Sequence, residues 1–162
     1  MRPLILSILI LLAPASLAGG GGPSRVGRFP VQPGQVWELQ AAPAGGRAFA
    51  VRHRVGKELL PRTSGGRAFE AFGSAVGGDI SYRPFERGLS LTRFVSPANV
   101  FRCFTVLPEG AAQAEGILLS GSVEATNEQL RRAQEGTDFS FRALLAQARA
   151  QGAGRCTLKR LR

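Results

Sequence analysis

Apolar and polar residues alternate with a period of two through much of the stretch 35–107. That period is typical of β-strands with one buried and one exposed face. The clearest example is 47–55, which places Phe49 and Val51 on one face and Arg52 on the other. The predicted strands are 35–40, 47–55, 66–73, 79–83, 89–95, 99–107 and 115–120, separated by turn residues such as Gly77-Gly78 and Ser96-Pro97.

Beyond residue 125 the period changes to that of a helix. Thr126 and Gln129 have the spacing of a capping box, which predicts a first helix from Thr126 to Gly136. A second helix is predicted from Ser140 to a stop at Gly152, because its apolar residues recur at helical spacing. These are Phe141, Leu144, Leu145 and Ala148. A last strand is predicted over 155–161.

This order of elements predicts an α+β fold dominated by β-structure. We expect about six to eight antiparallel strands in a barrel-like or sandwich sheet, with two short helices before the final strand. The length suits a single domain, which we predict over 35–162. Residues 19–34, rich in Gly and Pro, are predicted to be a flexible lead-in.

The first eighteen residues have the layout of a signal peptide. Arg2 precedes an apolar run from Leu4 to Leu12, and Ser16-Leu17-Ala18 supplies small residues at a cleavage site that we predict after Ala18. The apolar run is short for a membrane span, which needs roughly 20 residues. We therefore expect a secreted or periplasmic protein of the cell envelope, without a stable membrane span once the signal is cleaved.

The chain is strongly basic, with 21 Lys and Arg residues against 11 Asp and Glu residues and a net charge of +10. Such a charge favours anionic partners. Strand alternation predicts an arginine stripe on exposed faces, which we expect to contact an anionic envelope component or a partner protein. Its members are Arg52, Arg54, Arg83, Arg87, Arg93 and Arg102. Compositional bias is the alternative, because Lys57 and Lys159 are the only lysines.

Two cysteines, Cys103 and Cys156, are the only ones in the chain. Export into an oxidising compartment favours a disulfide between them. The alternative is that one of them acts as a catalytic nucleophile.

Residues able to carry other chemistry are few. A single histidine and two cysteines make a metal site improbable, and no motif for a phosphate-bearing cofactor occurs, so we expect neither a metal nor a cofactor. A small hydrolase would have to combine His53 and Ser64 with Asp79 or Asp138. A half-buried histidine bonded to a neighbour is the simpler interpretation of His53, which alternation places on an apolar face.

The order of elements also resembles the lipocalin layout. A Trp in the first strand, a run of antiparallel strands, a helix, a final strand and a disulfide from the tail to the barrel are shared, although Gly34 and Trp37 are separated by two residues instead of the lipocalin Gly-x-Trp spacing. The resemblance implies a barrel cavity for a small apolar ligand, lined by residues such as Trp37, Phe49 and Phe69.

Taken together, the residues predict an exported, non-enzymatic binding or structural protein that acts through its arginines. Nucleic acid is not an expected partner, since the Phe residues alternate as core positions do and Tyr82 is the sole tyrosine. A lipocalin-like carrier and a small hydrolase are the alternatives.

Overall fold

The computed structural model describes residues 29–64, 67–135 and 140–162, and within them nine strands form one antiparallel sheet. The strands are β1 Val36–Ala42, β2 Phe49–Arg54, β3 Leu60–Ser64, β4 Arg67–Ala75, β5 Gly78–Arg83, β6 Gly88–Ser96, β7 Asn99–Val106, β8 Gln113–Gly121 and β9 Gly154–Arg160. Their spatial order is β2-β1-β9-β8-β7-β6-β5-β4-β3. The predicted signal peptide and most of the predicted lead-in lie outside the described residues.

Two sets of neighbouring strands are joined by the strand that comes last in chain order. Strands β3 to β8 form a meander, and β1 and β2 form a hairpin. Strand β9 lies between them and pairs with β1 on one side and β8 on the other. The sheet is therefore continuous only because β9 is inserted in its middle.

The sheet curls so that its two ends approach each other. An isolated bridge joins Val55 to Ala75, and the amide of Gly56 donates to the carbonyl oxygen of Ser74 at 2.7 Å. The result is a half-barrel, which confirms the predicted fold class with slightly more strands than expected. The unpredicted strand is β3, whose Pro61 and neighbouring polar residues are typical of a turn.

The inner, concave face of the sheet holds the main hydrophobic core. Trp37, Leu39 and Leu158 are fully buried there. Part of the predicted lead-in also packs on this core. Val31 is 1% exposed, and the ring of Phe29 meets that of Tyr82 edge-on at 6.1 Å.

A disulfide joins Cys103 of β7 to Cys156 of β9, as predicted. These strands are not neighbours, because β8 runs between them. Two strand spacings in a flat sheet would separate them by about 9.6 Å, whereas their Cα atoms are 5.9 Å apart. The sheet is therefore sharply bent at β8, where a Cβ atom on Gly116 would lie 1.9 Å from the carbonyl oxygen of Phe104.

Two helices, α1 Val123–Gln134 and α2 Phe141–Ala150, cover part of the outer, convex face. The predicted apolar stripe of α2 is confirmed, since Phe141, Leu144, Leu145 and Ala148 are all buried in a second core with Phe104 and Ile117. Among the described residues, no helix is long and apolar enough to span a membrane.

The predicted start of α1 is wrong. Ser122, not Thr126, is the N-cap, and its hydroxyl accepts a hydrogen bond from the amide of Ala125 at 3.1 Å. Thr126 lies inside the first turn and is buried, with its hydroxyl donating to the carbonyl oxygen of Val123. The capping-box spacing of Thr126 and Gln129 therefore occurs within the helix.

Candidate functional site

A polar cleft lies on the convex face, where the helices stop covering the sheet. Helices α1 and α2 pack over β7 and β8, and the outer faces of β4 to β6 are left beside them. The cleft between helices and sheet has a volume of about 400 Å³. Its polar lining consists of Arg62, Glu70, Asp79, Ser81, Arg83, Ser90, Thr92, Arg102 and Gln134.

The floor of the cleft is made of polar side chains in cross-strand rows. Asp79 pairs in register with Thr92, and Thr92 pairs with Arg102, so these three residues form one row across β5, β6 and β7. Ser81 and Ser90 form the next row, with their hydroxyl oxygens 2.8 Å apart. Of the six buried polar residues in the described chain, Ser81, Thr92 and Glu70 line this cleft.

One rim of the cleft is an ion-pair network centred on Glu70. The Glu70 carboxylate is 6% exposed, and it lies 3.1 Å from Arg62 and 3.9 Å from Arg83. Arg83 also lies 3.8 Å from Glu86, whose carboxylate accepts a hydrogen bond from the amide of Phe141 at 2.8 Å. This network holds the start of α2 in place beside the sheet.

Asp79 and Arg102 form none of these ion pairs, although the charges of Arg62 and Glu70 also act on Asp79. The Nε atom of Arg102 is buried, and it has no hydrogen-bond partner in the described structure. Burial raises the pKa of Asp79 above its usual range, while a hydrogen bond with Thr92 and the charge of Arg102 oppose that rise. The row thus carries an acidic and a basic group with capacity for further hydrogen bonds.

The opposite wall of the cleft is apolar. Leu130 of α1, Leu144 of α2 and Phe94 of β6 line it. Phe94 is 45% exposed and is one of two exposed phenylalanines in the described structure, the other being Phe85. The cleft therefore joins a charged floor to a hydrophobic wall, with more polar than apolar residues in its lining.

The structure divides the predicted arginine stripe among separate surfaces. Arg83 and Arg102 line the convex cleft. Arg52 and Arg54 are exposed on β2 at the far edge of the sheet, where Arg52 pairs with Glu38 at 3.5 Å. Arg87 lies in the turn between β5 and β6 and pairs with Glu109 at 3.0 Å.

Arg93 lies on the other side of the sheet from Arg102. It pairs in register with Phe101, which packs on the concave core. Two of the six predicted arginines therefore share a site, and Arg62 of the unpredicted strand β3 joins them.

The residues of the predicted cavity belong to the packed concave face. Trp37 is fully buried, and its indole nitrogen donates to the Gln35 side chain at 3.1 Å. Phe49 is half-buried and contacts the ring of Phe101 edge-on at 4.7 Å. The side chain of Phe69 lies outside the described part of the structure.

Of the residues proposed for a hydrolase, His53 and Asp79 lie on opposite faces of the sheet. His53 is fully buried on the concave side, where its Nδ1 atom lies 2.9 Å from the carbonyl oxygen of Val76, whereas Asp79 lines the convex cleft. Burial lowers the pKa of His53, and the charge of Arg93 lowers it further despite the bond to Val76. Asp138 and the side chain of Ser64 lie outside the described structure.

Sequence reasoning missed Arg62, Glu70 and Thr92 as parts of one site. Strand alternation could indicate which face Thr92 occupies, but the row it forms with Asp79 and Arg102 depends on the register of three strands. No protein family, curated protein or solved structure matches the chain. Function must therefore be inferred from the cleft.

Proposed function

We propose that this chain is an exported, non-enzymatic binding protein. In this proposal the convex cleft takes up an anionic group displayed by an envelope component or a partner protein, and Arg102 is the residue that receives it. The observation that carries the proposal is that Arg102 lines the cleft while its buried Nε atom lacks a hydrogen-bond partner among the described residues.

A guanidinium group stays charged at any physiological pH, so Arg102 needs an anion or other acceptors nearby. The other arginines of the cleft, Arg62 and Arg83, already have a carboxylate as acceptor. Glu70 lies within ion-pair distance of both Arg62 and Arg83. Arg102 forms no such ion pair among the described residues, and the nearby charge that it shares is that of Asp79, so an external anion could add to its partners.

Export is supported by two features of this chain. The disulfide between Cys103 and Cys156 suits an oxidising compartment, and the apolar leader precedes the folded part. The volume of the cleft, about 400 Å³, lies within the range of small-molecule sites. The bound group is therefore a small ligand or the exposed end of a larger one.

The proposal is tested by titrating the protein with fluorescent poly-L-glutamate at increasing salt. We expect binding to weaken steeply with salt, because charge attraction is screened within about 8 Å at physiological ionic strength. The Arg102→Gln variant should bind about tenfold or more weakly, since a hydrogen bond to a charged group contributes about 1.5–3 kcal/mol.

The matched control is Arg54→Gln, which removes the same charge at an exposed position on β2, outside the cleft. We expect it to bind within about twofold of the parent protein. Equal losses in both variants would show that general charge, not the cleft, binds the polymer. A response that is flat with salt would also refute the proposal.

A further inference from the structure

The floor of the convex cleft carries charges of both signs in one row. Asp79 on β5 and Arg102 on β7 stand on either side of Thr92 on β6, and all three line the cleft. A ligand with only a negative charge would be attracted by Arg102 but repelled by the carboxylates of Asp79 and Glu70. A ligand with only a positive charge would be repelled by Arg102. The row is therefore complementary to a ligand with both charges close together.

The spacing of the row indicates how close those two charges must be. Neighbouring antiparallel strands lie about 4.8 Å apart, so the backbones of β5 and β7 are separated by about 9.6 Å. In an α-amino acid the ammonium nitrogen lies about 2.5 Å from the carboxylate carbon. Adding a charge-assisted hydrogen bond of about 2.8 Å at each end gives a span of about 8 Å, which is of the same order as the two strand spacings between β5 and β7.

The hydroxyl of Thr92 lies between the two charged residues, and it can donate to a carboxylate or accept from an ammonium group.

The apolar wall of the cleft can contact the uncharged part of such a ligand. Phe94, Leu130 and Leu144 line the same cleft and offer a hydrophobic surface to a side chain that points away from the floor. A head group with both charges and an apolar side chain would use all parts of this lining.

We propose that the cleft binds the zwitterionic head group of an α-amino acid with an apolar side chain. Asp79 receives the ammonium group, Arg102 receives the carboxylate, and the apolar wall receives the side chain. This inference rests on the proposed function, because it identifies the anionic group held by Arg102 as an α-carboxylate.

Three small ligands test the inference. L-leucine carries both charges, N-acetyl-L-leucine lacks the ammonium group, and L-leucinamide lacks the carboxylate. Each is titrated at pH 7.5 into the full secreted chain, labelled with ¹⁵N, while the amide resonances of the cleft strands are followed. We expect L-leucine to shift the amide of Thr92 and its neighbours, and each blocked ligand to bind at least about tenfold more weakly.

The variants Asp79→Asn and Arg102→Gln assign the two ends of the ligand. Asp79→Asn should weaken L-leucine about tenfold while leaving N-acetyl-L-leucine unchanged or bound more tightly, since the unfavourable carboxylate is gone. Arg102→Gln should weaken both ligands, and Arg54→Gln should weaken neither. Amide spectra that overlay outside the cleft confirm that each variant is folded.

The outcomes separate this inference from the proposed function. Equal binding of L-leucine and N-acetyl-L-leucine would overturn the inference and leave anion binding by Arg102 in place. Failure of all three ligands, with poly-L-glutamate still bound through Arg102, would likewise overturn it. If neither the amino acid nor the polymer depended on Arg102, both proposals would fall.

Discussion

Removing the disulfide should destabilise the protein by an amount that can be worked out from its loop. The bond joins residues 53 positions apart, and the chain-entropy relation for a loop of that length gives about 4 kcal/mol at 25 °C. The double variant Cys103→Ala with Cys156→Ala removes the bond. Because both cysteines are buried, it also leaves small voids in the core that add to the loss.

Urea unfolding followed by Trp37 fluorescence measures this loss, since Trp37 is the only tryptophan and is fully buried. A urea dependence of about 2 kcal/mol per molar is typical of a domain of this size, so the midpoint should fall by about 2 M. The unaltered chain, reduced with a thiol reagent, serves as the control because its core keeps both sulfur atoms.

The reduced control should lose most of the same stability. A midpoint within about 0.5 M of the oxidised protein would contradict the loop-entropy reasoning. It would mean that the unfolded chain is already compact between β7 and β9 without the bond.

Three further predictions concern single residues. Stability should fall as the pH drops from 7.5 to 5.5, because burial holds the pKa of His53 below its ordinary value of 6.5 and protons then bind the unfolded chain preferentially. The variant His53→Phe should flatten this pH dependence of the unfolding free energy in urea titrations. An unchanged slope would exclude His53, the only histidine of the chain, as its source. Gly116→Ala should lower the midpoint of thermal unfolding and cost about 2 kcal/mol or more, as its Cβ atom would collide with the Phe104 carbonyl oxygen, and a neutral effect would show that β8 can shift. Trp37→Ala should cost about 3–5 kcal/mol in calorimetry, and a cost under about 1 kcal/mol would mean that the concave core is loosely packed.

The sequence was sufficient to predict the fold class, the disulfide and the apolar stripe of α2, because each depends on local pattern or on residue counts. Strand β3 was missed since Pro61 and the polar residues around it do not alternate in hydrophobicity. Without β3 there was no reason to bring Arg62 next to Glu70.

The candidate site was harder to predict for a physical reason. Alternation places a side chain on one face of its strand, but a shared site also requires the strand order and the register between strands. Arg93 and Arg102 both fit an exposed position by local pattern, yet the sheet places them on opposite faces. The curvature of the sheet and the position of the helices then decide which of these faces forms a cleft.

The central position of β9 has a consequence for when this protein can fold. The main junction between the hairpin β1–β2 and the meander β3–β8 is β9, which follows them all in chain order, whereas the Val55–Ala75 bridge is a single isolated contact. Synthesis must therefore pass Arg160 before the sheet can be completed, and the long-range pairing makes that step slow. The complete sheet is thus confined to a stage at which all nine described strands are available to pair.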